Sequence, residues 1–241
     1  MTSMERLAGY IATYDPPFAK AIAGADAADV QDLEAALGRD LPPVYLDFLN
    51  VMGKSMDWLR PANAAFDAVS LTEYYREQSW RPEGFVKIAL GQDDPFFDIY
   101  LEDADAATPR VVTMPRGPTK DLDAWRKAYR HPLAGSLTEY LGTSAYNKLR
   151  MAAMPEKARM TGSKPGSRAI LQVEKECSQL SLQPVWFSND WVKLFYAEDA
   201  GAVAKQFPGT GLAINVAART PARLNAISGV LCQKLGLKIV S

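Results

Sequence analysis

Glu34 to Gly53 reads Glu-Ala-Ala-Leu-Gly-Arg-Asp-Leu-Pro-Pro-Val-Tyr-Leu-Asp-Phe-Leu-Asn-Val-Met-Gly, and this stretch decides how the fold begins. It predicts the end of one helix, a turn and a complete second helix. The first helix begins after Asp26, a residue type that caps helices, and ends at Gly38, since glycine readily adopts the left-handed conformation of a helix stop. The apolar residues of this helix recur at helical spacing and are Val30, Leu33 and Leu37.

The second helix begins at Pro42 or Pro43, because the first helical position needs no N–H donor. Gly53 closes it. Its apolar stripe consists of Tyr45, Phe48, Leu49 and Met52. These patterns predict two short helices packed together, and they place no chemistry within them.

The same residues, in the order Glu-x-x-Leu-Gly-x-x-Leu-Pro-x-x-Tyr-x-x-Phe-Leu with a glycine soon after, resemble the opening signature of the SUKH superfamily. Its members are mostly bacterial immunity proteins of toxin systems, and fungal cell-wall-synthesis regulators are relatives. The resemblance covers about residues 26–150 and implies an α+β domain with helices packed on an antiparallel sheet. One departure is the segment Val51 to Lys54, where members often carry an Asn-Gly pair.

The rest of the first half fits the element order that this resemblance implies. The predicted strands are Phe85 to Leu90, Phe96 to Leu101 and Arg110 to Thr113. The predicted helices are Leu122 to Arg130 and Leu137 to Leu149. We therefore expect a SUKH-like domain over residues 1–150.

A basic linker is predicted over residues 151–166, because Pro155, Gly162, Pro165 and Gly166 interrupt it. A small α/β domain of no recognised family is predicted over residues 167–241. Its first predicted element is a helix that begins at Ser167 and is stopped by Pro184. The other predicted elements are strands Val185 to Ser188 and Trp191 to Ala197, a short helix from Asp199 to Gln206, a strand from Leu212 to Ala217, a helix from Thr220 to Leu235 and a strand from Leu237 to Val240.

Composition limits the class of protein. The chain has 241 residues, 48% of them hydrophobic, which suffices for a sizeable core. It has no apolar run long enough to span a membrane, and its N-terminus lacks the pattern of a secretory signal. Cys177 and Cys232 lie on apolar helical patterns, which favours reduced core thiols, with a disulfide between them as the alternative. We expect a cytoplasmic protein.

Charge is divided unevenly along the chain. Residues 1–147 contain 22 Asp and Glu against 14 Lys and Arg, whereas residues 148–241 contain 6 against 13. Such asymmetry steers partners of opposite charge. The alternative is that the two halves attract each other.

Few residues can perform catalysis or bind a metal. The one histidine, His131, and two cysteines 55 residues apart give no zinc ligand set, and no nucleophile, phosphate-loop or dinucleotide motif is present. His131 is predicted to have a structural role at the end of a helix. We therefore predict no catalytic residue, no metal and no cofactor, although the many carboxylates leave an unrecognised carboxylate site open.

The acidic segment after the first predicted strand is the best candidate for a partner-binding surface. Strand alternation would place Asp98 and Tyr100 on the face opposite Phe97 and Ile99. Aromatic residues and charges of this kind anchor protein interfaces. The alternative is a solvated strand edge whose charges prevent aggregation. The predicted binding residues are Asp93, Asp94, Asp98, Tyr100, Glu102, Asp103 and Asp105.

The function predicted from this resemblance and charge pattern is that of an immunity protein in a polymorphic toxin system. It would bind a cognate bacterial toxin by protein–protein interaction and occlude its active site. A nuclease, or another enzyme with a basic groove, fits the acidic face best. Nucleic acid is disfavoured as a partner, because the basic segment from Lys148 to Arg168 has no interleaved aromatic residue. The alternatives are an intracellular interaction scaffold or regulator without a toxin partner, and an enzyme.

Overall fold

The computed structural model describes residues 1–61, 64–92, 97–117, 122–127, 131–164 and 166–240. The chain belongs to the α+β class, with helices and two antiparallel sheets. It divides into two compact units, Met1–Leu141 and Gly142–Ser241. None of the helices in the described ranges is both long and apolar enough to cross a membrane.

In the described part of the first unit, seven α-helices begin. They are α1 Ser3–Ala12, α2 Phe18–Ala21, α3 Ala27–Leu37, α4 Pro43–Met52, α5 Ala68–Glu77, α6 Leu122–Lys127 and α7 Leu137–Tyr146. Helix α1 begins with a capping box, in which the Thr2 side chain accepts from the N–H of Glu5 and the Glu5 carboxylate accepts from the N–H of Thr2. The α7 helix continues as a π-helical turn, Asn147–Met151.

The stretch that decides the beginning of the fold forms the predicted pair of helices. Gly38 ends α3 with φ of 78°, in the left-handed region, and Pro43 opens α4. The predicted stripe of α4 is buried and consists of Tyr45, Phe48, Leu49 and Met52. Asp26 precedes α3, but its side chain forms no cap hydrogen bond and lies 3.0 Å from the Lys54 ammonium instead.

The sheet of the first unit is antiparallel and its strands follow chain order. They are β1 Ala64–Ala65, β2 Phe85–Gly91, β3 Phe97–Glu102, β4 Arg110–Pro115 and β5 His131–Ala134. The predicted role of His131 at a helix end is wrong, because His131 begins β5 and pairs with Thr113. Proline is tolerated at position 132 because β5 is an edge strand.

The second unit packs two helices against one face of a six-stranded antiparallel sheet. Its elements are β6 Glu156–Gly162, α8 Ile170–Gln179, β7 Gln183–Pro184, β8 Val192–Tyr196, β9 Ala200–Lys205, β10 Leu212–Ala218, α9 Pro221–Leu235 and β11 Leu237–Val240. The strand order is β11-β6-β10-β9-β8-β7. Without the β7–β8 hairpin, this is the split β-α-β arrangement in which each crossover spans one intervening strand.

Three predictions for the second half differ from the structure. Residues 151–166 are not a linker throughout, because β6 lies within them and pairs with both β10 and β11. The segment Asp199–Gln206 contains strand β9 rather than a helix. Residues 185–188 follow the short strand β7 instead of forming a strand. The first two differences share a physical reason, since alanine-rich and charged segments become strands only through neighbours that are distant in sequence.

The core of the second unit lies between α8, α9 and the sheet. Cys177 is free and buried in this core, and Cys232 is free and half-buried against it. The open alternative of a disulfide between them is therefore not observed. Helix α9 confirms its predicted ends, with Thr220 as the cap of Pro221–Leu235 and Gly236 in the left-handed conformation.

Candidate functional site

The acidic segment does not form one exposed face. Asp98 and Tyr100 are 0% and 1% exposed, and Glu102 is also buried. The prediction that Asp98 and Tyr100 face a partner is therefore wrong. It fails because β3 is an inner strand covered on both sides, so alternation along the sequence does not separate a solvent face from a core face.

Asp98 is instead the buried centre of an ion triad with the buried Lys87 and the half-buried Arg116, here called the Asp98 cluster. Its carboxylate lies 2.6 Å from the Lys87 ammonium and accepts hydrogen bonds from Arg116 at 2.8 and 3.1 Å. The backbone N–H of Gly91 donates to the same carboxylate at 2.9 Å, and the Gly91 carbonyl accepts from Arg116 at 2.6 Å. The cluster therefore joins the ends of β2, β3 and β4.

Three tyrosines contact Lys87, two of them at its side chain and one at its backbone. Its ammonium lies 3.4 Å from the ring centroid of Tyr74 and 5.3 Å from that of Tyr100, distances at which a cation interacts with an aromatic face. The Tyr75 hydroxyl accepts from the backbone N–H of Lys87 at 2.9 Å. Burial raises the pKa of Tyr74 to about 12, and it raises the pKa values of Tyr75 and Tyr100 further.

Among the described lysines of the first unit, Lys87 has the most strongly shifted pKa. Burial lowers the pKa of Lys87 to about 8, although the Asp98 carboxylate acts in the opposite direction. Such lysines occur at catalytic sites and in structural ion clusters alike. Here the Lys87 and Asp98 side chains are 2% and 0% exposed, so a substrate does not reach them in this conformation. The geometry favours a structural role that fixes β2, β3 and β4 together.

The lowered pKa of Lys87 predicts a pH dependence of stability. Between about pH 8 and the ordinary lysine value the unfolded state binds more protons than the folded state, so stability rises with pH. We expect the free energy of unfolding to rise by about 1 kcal/mol from pH 8 to 9, relative to a Lys87→Met variant. Urea titrations at both pH values measure this difference.

The tyrosines whose pKa is raised limit the highest pH at which that measurement is useful. The stability that Tyr74 contributes is present below its unfolded pKa of 10 and is lost as pH rises through its folded value, opposite in sign to Lys87. Lys87→Met keeps these tyrosines, so subtracting its free energy of unfolding at each pH removes their contribution. Equal pH slopes in the two proteins would show that Lys87 does not titrate in this range.

The remaining acidic residues of the segment pair with arginines. Asp103 and Asp105 are exposed, with side-chain exposures of 60% and 74%, and they bond to Arg110 and Arg39, respectively. Arg110 also lies 3.3 Å from Glu102. Asp103 and Asp105 follow the C-terminal end of β3. This strand has six residues, so its C-terminal end lies about 17 Å from its start.

Asp93 and Asp94 precede β3 and lie outside the described residues. The acidic segment is thus interrupted by the buried Asp98, and among the described residues only its C-terminal end is exposed. Sequence analysis missed Lys87 and Arg116. The available signal was a lysine within the otherwise apolar strand Phe-Val-Lys-Ile-Ala-Leu.

No cluster of three or more His, Cys, Asp or Glu in the described ranges is placed to hold a metal ion. Comparison of the chain with known proteins found no matching family model, no matching curated protein and no matching solved structure. Function is therefore inferred from the chain itself.

Proposed function

We propose that this protein is an immunity protein that binds a bacterial toxin and neutralises it. The observation that carries the proposal is the stretch from Glu34 to Gly53. This stretch resembles the SUKH signature, and it folds as that resemblance implies into α3, a left-handed Gly38 and α4. The antiparallel strands β2 to β4 that follow also agree with the implied order.

The proposed mechanism is occlusion of a basic groove on the toxin. The first unit contains 22 acidic residues against 14 basic ones, and this excess attracts a basic partner and accelerates the encounter. Of the segment first predicted to bind, Asp103 and Asp105 are the exposed members that the structure describes. In this proposal Asp103 and Asp105 lie in the contact with the toxin. Asp98 and Tyr100 lie beneath that contact and fix strand β3.

Toxin capture and rescue test this proposal. The proposal requires a toxin gene beside this one. That toxin is to be expressed with and without the protein, and growth and co-purification are measured. We expect the Asp103→Lys, Asp105→Lys double variant to slow association about tenfold at low salt, because charges at an interface rim act mainly on the association rate. The difference should shrink as salt rises, since exposed charges are screened.

The matched control reverses two exposed acids of the second unit, Asp190→Lys and Glu198→Lys. This control should capture toxin at the rate of the unmodified protein. Equal slowing in both variants would leave only a nonspecific charge effect and remove Asp103 and Asp105 from the contact. Failure to rescue growth or to capture the toxin would contradict immunity itself, and capture of a different protein would favour the regulator.

A further inference from the structure

One side of the second unit's sheet carries a row of exposed cations on β6 and β11. Ala158 and Met160 of β6 pack against the core beneath α8 and α9, so the alternating residues Lys157 and Arg159 point to the opposite face. On β11, Leu237 belongs to the same core, which places Lys238 on the opposite face as well. We call this side the open face.

Lys157, Arg159 and Lys238 are exposed on this face, and none of these three has an ion pair or side-chain hydrogen bond within the described ranges. The six carboxylates of the second unit lie elsewhere. Glu156 is on the helix-facing side of β6, because it pairs with the core residue Ala218. The others lie on α8 and in loops and are Glu174, Glu176, Asp190, Glu198 and Asp199. Within the described ranges, no carboxylate of the second unit forms an ion pair with Lys157, Arg159 or Lys238.

A groove of about 510 Å³ runs along this positive face. One wall is the turn that contains Asn147 and Met151. The other side is formed by Lys157, Arg159 and Val240. Strand register places Arg159 directly between Asn215 and Val240, so apolar and amide groups flank the guanidinium. The groove thus combines cations with apolar surface.

From this combination we propose that the open face binds an extended acidic segment of a protein partner, with an apolar side chain next to its carboxylates. Lys157 and Arg159 are two residues apart on one strand, a separation of about 6.6 Å. Carboxylates two residues apart on an extended segment have the same spacing. An apolar side chain on that segment can contact Met151 or Val240, which line the same groove.

Nucleic acid fits this face less well. Its phosphates match the cations, but the described strands β6, β10 and β11 present no aromatic side chain on which a base can stack. Much of the groove lining is apolar, which favours a partner with apolar side chains. The inference concerns the second unit and does not depend on toxin binding by the first.

The test uses the full chain and a fluorescein-labelled peptide, Ser-Glu-Ser-Glu-Ser-Leu-Ser, whose glutamates and leucine share one face when it is extended. Fluorescence anisotropy measures the dissociation constant. We expect the Lys157→Glu, Arg159→Glu double variant to bind at least about tenfold more weakly, because two charge pairs are replaced by repulsion. The composition-matched peptide Ser-Glu-Glu-Ser-Leu-Ser-Ser should bind more weakly than the first, because its glutamates point to opposite faces.

Lys175→Glu with Lys234→Glu is the matched control, since these exposed lysines lie on α8 and α9 and the net charge change is identical. It should retain the affinity within about twofold. Equal weakening by both pairs, or no binding at about 1 mM peptide, would overturn the proposal. Tighter binding of a 12-nucleotide single-stranded DNA, lost specifically in the Lys157 and Arg159 variant, would assign the face to nucleic acid instead.

Discussion

We expect Asp98→Ala to lower the free energy of unfolding of the first unit by about 3–5 kcal/mol. The substitution leaves the buried Lys87 ammonium without its carboxylate partner, which lies 2.6 Å away. It also removes the carboxylate that Arg116 contacts and the acceptor of the Gly91 N–H. An uncompensated buried charge destabilises far more than a lost surface ion pair does.

Hydrogen exchange of peptides from β2 to β4, together with urea unfolding, measures this effect in the full chain. Asp105→Ala is the control, because its side chain is 74% exposed and its pair with Arg39 contributes at most about 1 kcal/mol. Adding Lys87→Met to Asp98→Ala should recover part of the loss, since it removes the stranded ammonium. A cost for Asp98→Ala as small as that of the control would show that the cluster is solvated.

The Asp98 prediction also separates folding from binding. Asp98 was first placed on a partner-binding face, and in that role its replacement would weaken toxin capture while leaving stability unchanged. The buried position predicts the reverse order, in which stability falls and capture is lost only as far as the first unit unfolds. Measuring both quantities on one variant therefore distinguishes the two interpretations.

Helices whose ends are marked by local residues were predictable. Gly38 ends α3 and Gly236 ends α9, both in the left-handed conformation. Pro43 begins α4, and Thr220 caps the start of α9. Each mark acts through its own backbone or through a neighbour a few residues away. Such signals are complete within the sequence window that carries them.

Strands β6 and β9 were not predictable in the same way. The sequence of β9, Ala-Gly-Ala-Val-Ala-Lys, has the alanine content of a helix, yet β8 and β10 pair with it on both sides. In β6, charged and apolar residues alternate from Lys157 to Met160, as in a strand. The basic residues and the nearby prolines and glycines instead favoured a linker. Strand pairing depends on partners up to 81 residues away, as the pair Val240 and Arg159 shows.

The candidate site failed for a related reason. Acidic residues close in sequence were expected to share a surface, but β3 is an inner strand, so Asp98 meets Lys87 and Arg116 in the interior. Neither partner is close to Asp98 in sequence, being 11 and 18 residues away. Charge counts give the sign of each unit correctly, whereas only the register of β2, β3 and β4 determines which charges remain exposed.

Phe48→Ala should have the second large effect, again about 3–5 kcal/mol, because it opens a cavity in the stretch that decides the beginning of the fold. Phe48 is 0% exposed. Its ring stacks on Tyr45 with centroids 5.8 Å apart and meets the edge of Phe66 at 6.2 Å. Both aromatic contacts are lost in the variant. Chemical denaturation with exchange of α3 and α4 amides measures the loss.

Leu46→Ala on the same helix is the control, because Leu46 is only half-buried and its truncation should cost about 1 kcal/mol. The free energy of unfolding of a native protein is only about 5–15 kcal/mol. Phe48→Ala should therefore also reduce toxin rescue in cells, whereas Leu46→Ala should not. If the two variants lose equal stability, α4 is held by its caps and turn alone. The resemblance of its apolar stripe to the SUKH signature would then say nothing about the packing of this domain.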